Sequence, residues 1–313
     1  MTVLNAFKAP RAQRLAGYGL EVPDLLVAQS FYGAFGLKAD LNPADSKTLR
    51  MSTQHGGPAE LALVAGPTKR LHHLSFAVRP EDLSQFEEHL HKIGTPATAA
   101  PHCALRAGLW FQDPWGLWIN LTPVNDAELR KPERRVVGES RVDRHLWQEL
   151  KREVRPNKLG HLLMFTDDWE NTEAYYSKAL GLRTSDRAVG KVSFMAGGTG
   201  VRDHHCFGLI KSTHRGFQHS SFHVDTVDEI GFGALQMHKA GFKDGFGVGR
   251  HALASNLFFY VRDPWGSWVE YYTDMDQISE SWVAGDWSEL PYVWPAWAPE
   301  FWTKEMNANL EPC

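Results

Sequence analysis

Three side chains in this sequence have types and spacing that could do chemistry together: His161, His219 and Glu270, separated by 57 and 50 residues. Two imidazoles and one carboxylate can occupy one face of an octahedral ion and leave three positions open. That donor set suits non-haem Fe(II), with Mn(II) as the other ion the same ligands accept, and its open positions can hold an organic substrate beside dioxygen. A single buried histidine is more often a packed core residue, and a single glutamate more often faces solvent. The case for this trio rests on the pattern around it.

The pattern is an internal repeat. Gln112-Asp113-Pro114-Trp115-Gly116-Leu117-Trp118-Ile119-Asn120 mirrors Arg262-Asp263-Pro264-Trp265-Gly266-Ser267-Trp268-Val269-Glu270. Upstream, His73-Leu74-Ser75-Phe76 mirrors His219-Ser220-Ser221-Phe222, and Ala16-Gly17-Tyr18 is aligned with Leu159-Gly160-His161. On this alignment Tyr18, His73 and Asn120 stand where His161, His219 and Glu270 stand. The first half lacks two of the three donors, so the chemistry is expected in the second half alone.

Each half divides again into a strand, a helix closed by glycine, and further short β-rich runs. The strands are expected near 14–22, 71–78, 159–165 and 217–224. The helices are expected near 24–35, 81–93, 168–180 and 227–240. Asp-Pro followed by glycine two residues later is good turn chemistry between paired strands. The fold class is therefore α+β, with four βαβββ modules paired into two similar domains. The expected divisions are 1–124 for the first two-module domain, 125–157 for a connector with a helix near 144–151, and 158–274 for the catalytic domain. Residues 275–313 form a tryptophan-rich tail, expected either to cover the pocket as a lid or to pack on the outside of the barrel or between subunits. His161, His219 and Glu270 each fall on a predicted strand, and strands of a curved sheet can aim distant residues at one point.

Bulk composition excludes other classes. With 33 Lys and Arg against 37 Asp and Glu the formal net charge is -4, and there is no basic stripe, so a nucleic-acid partner is not expected. No apolar run is long enough to span a bilayer and the start lacks a signal-like apolar segment, so the reading is a cytoplasmic chain with no membrane partner. Cys103, Cys206 and Cys313 are odd in number and widely spaced, as in a reducing compartment.

Three further residues accompany the trio. His205 lies fourteen residues before His219, while His251 and Tyr260 lie nineteen and ten before Glu270. Around a metal they would supply the proton-transfer and hydrogen-bonding groups that oxygen chemistry on a phenol requires. The segment Gly247-Val248-Gly249-Arg250-His251, with Asn256, Phe258, Tyr260, Asp263-Pro264 and Glu270-Tyr271-Tyr272-Thr273, resembles the type I extradiol ring-cleavage dioxygenases of the vicinal oxygen chelate superfamily. Homoprotocatechuate and catechol 2,3-dioxygenases carry a similar stretch, and the likeness extends from the first module to Thr273.

The resemblance implies extradiol cleavage of a catechol-type or trihydroxylated aromatic by dioxygen at Fe(II). It implies His161, His219 and Glu270 as ligands, His205 as the acid–base residue in preference to its neighbour His204, and His251 and Tyr260 as groups that hydrogen-bond the bound diol. Its expected partners are dioxygen, a small aromatic diol or triol, and further copies of the chain in a homo-oligomer. Two departures stand out: Gln218 replaces a second histidine before the ligand, and Phe246 replaces the arginine that receives a substrate carboxylate in homoprotocatechuate enzymes. A substrate without a carboxylate side chain is expected. The alternatives are a keto-acid-type dioxygenase, a glyoxalase-type enzyme and a non-catalytic aromatic-binding protein of the same fold.

Overall fold

The computed structural model describes residues 9–40, 47–54, 58–102, 104–125, 153–287 and 295–298. The helix expected near 144–151, Cys103, Cys313, Trp294 and Trp302 lie outside them.

The first module opens with β1 (Arg14–Val22), continues through α1 (Leu25–Ala34), and returns as β2 (Lys38–Asp40), β3 (Thr48–Ser52) and β4 (Leu61–Ala65). Asp24 starts the helix by accepting hydrogen bonds from the amides of Leu26 and Val27. The second module has β5 (Arg70–Val78), α2 (Leu83–Lys92), β6 (Leu109–Gln112) and β7 (Trp118–Pro123). Here the expected three returning strands become two: the first is reduced to one bridge between Thr98 and Trp110. Pro96 and Pro101 flank that bridge, and proline has no amide to give a ladder.

The third module comprises β8 (Lys158–Thr166), α3 (Trp169–Leu180), β9 (Arg183–Ala188), β10 (Val192–Ala196), the short β11 (Arg202–Asp203) and β12 (Phe207–Lys211). Gly181 ends α3 in the left-handed region at φ 65°, where a side chain would be strained. The fourth comprises β13 (Gly216–His223), α4 (Val227–Lys239), β14 (Gly245–His251), β15 (Leu257–Arg262) and β16 (Trp268–Thr273). Thr226 and Glu229 form a reciprocal capping box at the start of α4. The tail adds β17 (Gln277–Ile278), β18 (Gly285–Asp286) and β19 (Pro295–Trp297).

One sheet has the order β2-β3-β4-β1-β5-β7-β6, and the other β18-β9-β10-β12-β8-β13-β16-β15-β14-β19. Their centres have the same construction. In each, the first strands of the two modules run antiparallel, and each of these pairs in parallel with the last strand of its own module. The described tail supplies both edge strands of the larger sheet: β18 lies along β9 and β19 along β14.

The two halves share one buried core. Phe35 stacks on Tyr271 with ring centroids 3.9 Å apart, and the Tyr271 hydroxyl donates to the Phe35 carbonyl at 2.8 Å. The paired Asp-Pro-Trp-Gly turns carry contacts in both directions. Lys69 of the first half meets Asp263 of the second at 3.0 Å, both side chains buried, while Tyr176 of the second donates to Asp113 of the first at 2.8 Å. Arg215, the counterpart of Lys69, lies over the Trp115 ring at 4.0 Å.

Candidate metal centre

Strand register alone brings the trio together. Ser221 on β13 pairs with His161 on β8 and with Glu270 on β16, so these three form one row across the sheet. His219 lies two residues before Ser221, on the same face by strand alternation. A bulge precedes each histidine, at Gly160 and at Gln218, and re-aims the side chains locally. Gly160 is needed there because a Cβ would lie 2.1 Å from the Tyr272 hydroxyl.

One donor atom from each residue lies within 4.8 Å of the others. Nε2 of His161 is 3.1 Å and Nε2 of His219 is 3.6 Å from Oε2 of Glu270. Donors at right angles on an ion with bonds of about 2.1 Å stand about 3 Å apart, so little movement is required to close on a metal. His219 Nε2 is buried with no hydrogen-bond partner, an expensive condition unless a cation shared with Glu270 is its partner. The donor set fits Fe(II) or Mn(II).

Neighbouring groups orient these donors. Gln218 Oε1 accepts from Nδ1 of His219, which fixes the ring as the tautomer with Nε2 free. Asn256 donates to Oε1 of Glu270 at 3.2 Å. Burial pushes the Glu270 carboxyl up, but hydrogen bonds from His161 and His251 and the proximity of His219 hold it well below the usual carboxylate range. Burial drives His219 down to about 3 against the pull of Glu270, so its ring is neutral and available as a ligand.

The three accompanying residues reach the same place. His251 Nε2 is 3.2 Å from the Tyr260 hydroxyl and 3.5 Å from Oε1 of Glu270. Tyr260 pairs in register with Glu270. Burial, reinforced by the Glu270 charge, holds the phenol well above its ordinary range, so it stays a donor. His205 has its ring centroid 4.4 Å from that of His161, whereas Nε2 of His204 turns away to Asp186 at 2.7 Å. His161, His205, His219, His251, Asn256 and Tyr260 line a cavity, and Leu163, Phe194 and Leu253 complete its wall. Sequence reasoning gave Gln218 and Asn256 no role and missed the three apolar residues. Asn256, fourteen residues before Glu270 and immediately before the strand that pairs with its own, carried the readable signal.

The first half requires one correction. By register Ser75 pairs with Gly17 and Asn120, as Ser221 pairs with His161 and Glu270. The bulges also correspond, Ala16 with Gly160 and His72 with Gln218. Gly17, not Tyr18, therefore stands where His161 stands. A one-residue slip moves a strand side chain to the opposite face, and Tyr18 points into the contact between halves. It stacks on Phe217 and donates to Ser220 at 2.8 Å. The degenerate site is filled by its own side chains: the His73 ring lies where a Gly19 Cβ would be 2.3 Å away, and Asn120 donates to the Leu109 carbonyl at 3.2 Å.

Residues 158–271 match the Glyoxalase/Bleomycin resistance protein/Dioxygenase superfamily. Metapyrocatechase 2 of Cupriavidus necator is 35% identical over 306 residues, covering 93% of this chain and 91% of that protein. An iron-dependent extradiol dioxygenase of Rhodococcus jostii (strain RHA1) is 25% identical over 167 residues, covering 49% and 53% of the two chains. The fold resembles a Mn(II)-bound glyoxalase from Novosphingobium aromaticivorans with a TM-score of 0.75, at 20% identity and coverage of 92% and 91%. An identity of 35% to a metapyrocatechase over nearly the full length of both chains, together with the trio, its neighbouring groups and the paired modules, places this protein in the type I extradiol ring-cleavage dioxygenases of the vicinal oxygen chelate superfamily.

Proposed function

We propose that this chain opens the ring of a catechol-type or trihydroxylated aromatic by extradiol cleavage, with both atoms of dioxygen entering the product. The observation that carries the reading is the fully buried Glu270 carboxylate, with the Nε2 atoms of His161 and His219 3.1 and 3.6 Å from one of its oxygens, beside a cavity lined by both histidines with His205, His251 and Tyr260. His161, His219 and Glu270 would hold Fe(II), with Mn(II) the alternative. Bound there, the ion supplies Lewis acidity, one-electron redox capacity and open positions for the diol and dioxygen.

The remaining roles belong to the protein. Tyr260, kept protonated, donates a hydrogen bond to one oxygen of the diol, and His251 next to it steadies the charge that develops there. Burial, with His161, His204, His251 and His219 nearby, holds His205 well below the ordinary imidazole range and hence neutral before substrate binds. Neutral His205 accepts the proton of a diol hydroxyl and returns it when the ring opens. Leu163, Phe194 and Leu253 exclude water and receive the apolar part of the ring.

The substrate carries no carboxylate side chain. None of the nine described lining residues is lysine or arginine. Phe246 is buried and stacks on Tyr260 at 4.9 Å, where a cation would be needed.

The test is oxygen uptake by anaerobically Fe(II)-loaded protein against catechol, methylcatechols, homoprotocatechuate and trihydroxybenzenes. Stoichiometric uptake with a yellow ring-opened product is expected, and 4-methylcatechol should bind more tightly than homoprotocatechuate. Iron-loaded protein that takes up no oxygen across the panel would refute ring cleavage. Tighter binding of homoprotocatechuate would refute the substrate assignment.

A further inference from the structure

A chain of hydrogen bonds runs from the tail to the cavity. Asp186, on β9, accepts the Gly285 amide at 2.6 Å and the Trp287 indole at 3.0 Å, both on Oδ1. Its other oxygen, Oδ2, is 2.7 Å from Nε2 of His204. Nδ1 of His204 is in turn 3.1 Å from Nδ1 of His205. The tail also grips this segment from the other side, since the His204 amide donates to the Asp276 carbonyl at 2.9 Å. Asp186, His204 and His205 are all buried.

The direction of every proton in the chain follows from its carboxylate end. Burial pushes the Asp186 carboxyl up, but hydrogen bonds from His204, Trp287 and Gly285 hold it below its usual range, so it is an ionised acceptor. His204 then carries a proton on Nε2, and as a neutral ring it presents Nδ1 as an acceptor. His205 must donate from Nδ1, and its Nε2 is the nitrogen left with a lone pair for the cavity.

We propose that Asp186 and His204 are positioning residues that hold His205 in the Nδ1–H tautomer, with the tail segment at Gly285 and Trp287 fixing Asp186. The inference rests on the ring-cleavage reading for its consequence. When the diol binds, its O–H bond breaks, the Nε2–H bond of His205 forms, and the charges separate as an aryloxide and an imidazolium. An Nε2–H tautomer would have no lone pair to receive that proton. His205 is thus selected as the proton acceptor by a partner it does not share with the substrate, and His204 never reaches the substrate itself.

Asp186→Asn tests this with almost no change of shape. The amide oxygen remains with its two donors, Gly285 and Trp287, so the amide NH2 faces His204 Nε2. His204 must then become Nδ1–H, and His205 must move its proton to Nε2. The first readout is two-bond proton–nitrogen NMR of the full-length protein loaded with diamagnetic Zn(II). Wild type should give His204 as Nε2–H and His205 as Nδ1–H, and Asp186→Asn should reverse both. The second readout is kinetic: kcat of the Fe(II) enzyme should fall on the order of 10²-fold, while anaerobic catechol affinity stays within about threefold. Wild-type His205 found as Nε2–H overturns the proposal, and that measurement stands even if the variant fails to fold. A folded Asp186→Asn with unchanged tautomers, or with unchanged kcat, also overturns it. Absence of turnover in wild type would strike the ring-cleavage reading and leave the tautomer result intact.

Discussion

His73, the one surviving donor of the degenerate half, should make the metal-free protein sensitive to mild acid. It is fully buried, its Nε2 has no hydrogen bond, and its ring lies against Gly19 and 5.3 Å from the Trp110 ring centroid. Burial, with a smaller contribution from His72, pushes it down to about 3. A histidine with a depressed folded value contributes stability that is fully present above its unfolded value near 6.5 and is lost as pH falls toward 3. At pH 5 the unfolded chain gains about 2 kcal/mol by protonating this one ring, while the folded chain gains almost nothing. His73→Leu removes the titrating group and keeps an apolar side chain of similar size. Urea unfolding of the metal-free full-length chain, followed by tryptophan fluorescence at pH 7.5 and pH 5, measures the difference. Wild type should lose about 2 kcal/mol more than His73→Leu between those two pH values. Contributions from His205 and His219 are common to both proteins and cancel. Equal losses, or a larger loss in the variant, would refute the argument that His73 is buried neutral.

Lys69→Met should cost about 3–5 kcal/mol because it strands the buried Asp263 carboxylate, and adding Asp263→Asn should recover part of that; urea midpoints report both. Tyr18→Phe should cost about 1–2 kcal/mol through the stranded Ser220 hydroxyl, and Tyr18→Ala about 3–5 kcal/mol, with both proteins retaining iron when folded. His205→Phe should lower turnover about 10²–10⁴-fold while anaerobic catechol affinity changes little, and equal turnover would remove it from the proton-transfer role.

Much of this was legible because the repeat has hard punctuation. The Asp-Pro-Trp-Gly turns and the glycines after the helices fix where each module begins and ends, and three of the four modules have the expected strand and helix order. The second loses one strand to prolines whose effect on a ladder depends on which edge they face. The trio was legible because strand register puts His161, Ser221 and Glu270 in one row. The error at Tyr18 has the same origin. Matching Gly17 to Gly160 was the natural alignment, but the bulges at Ala16 and Gly160 are the true equivalents, and a bulge leaves no fixed mark in sequence. The contact from Asp186 to His204 and the tail joins residues up to 101 apart, and nothing periodic announces such a chain.

Iron content under anaerobic reconstitution tests the central claim most directly, that one half of the repeat holds the metal and the other has lost it. Wild type and Asn120→Ala should each bind one iron per chain, whereas His161→Ala and Glu270→Ala, folded by circular dichroism, should bind none. Iron retained by His161→Ala and Glu270→Ala, or lost by Asn120→Ala with its fold intact, would contradict the account.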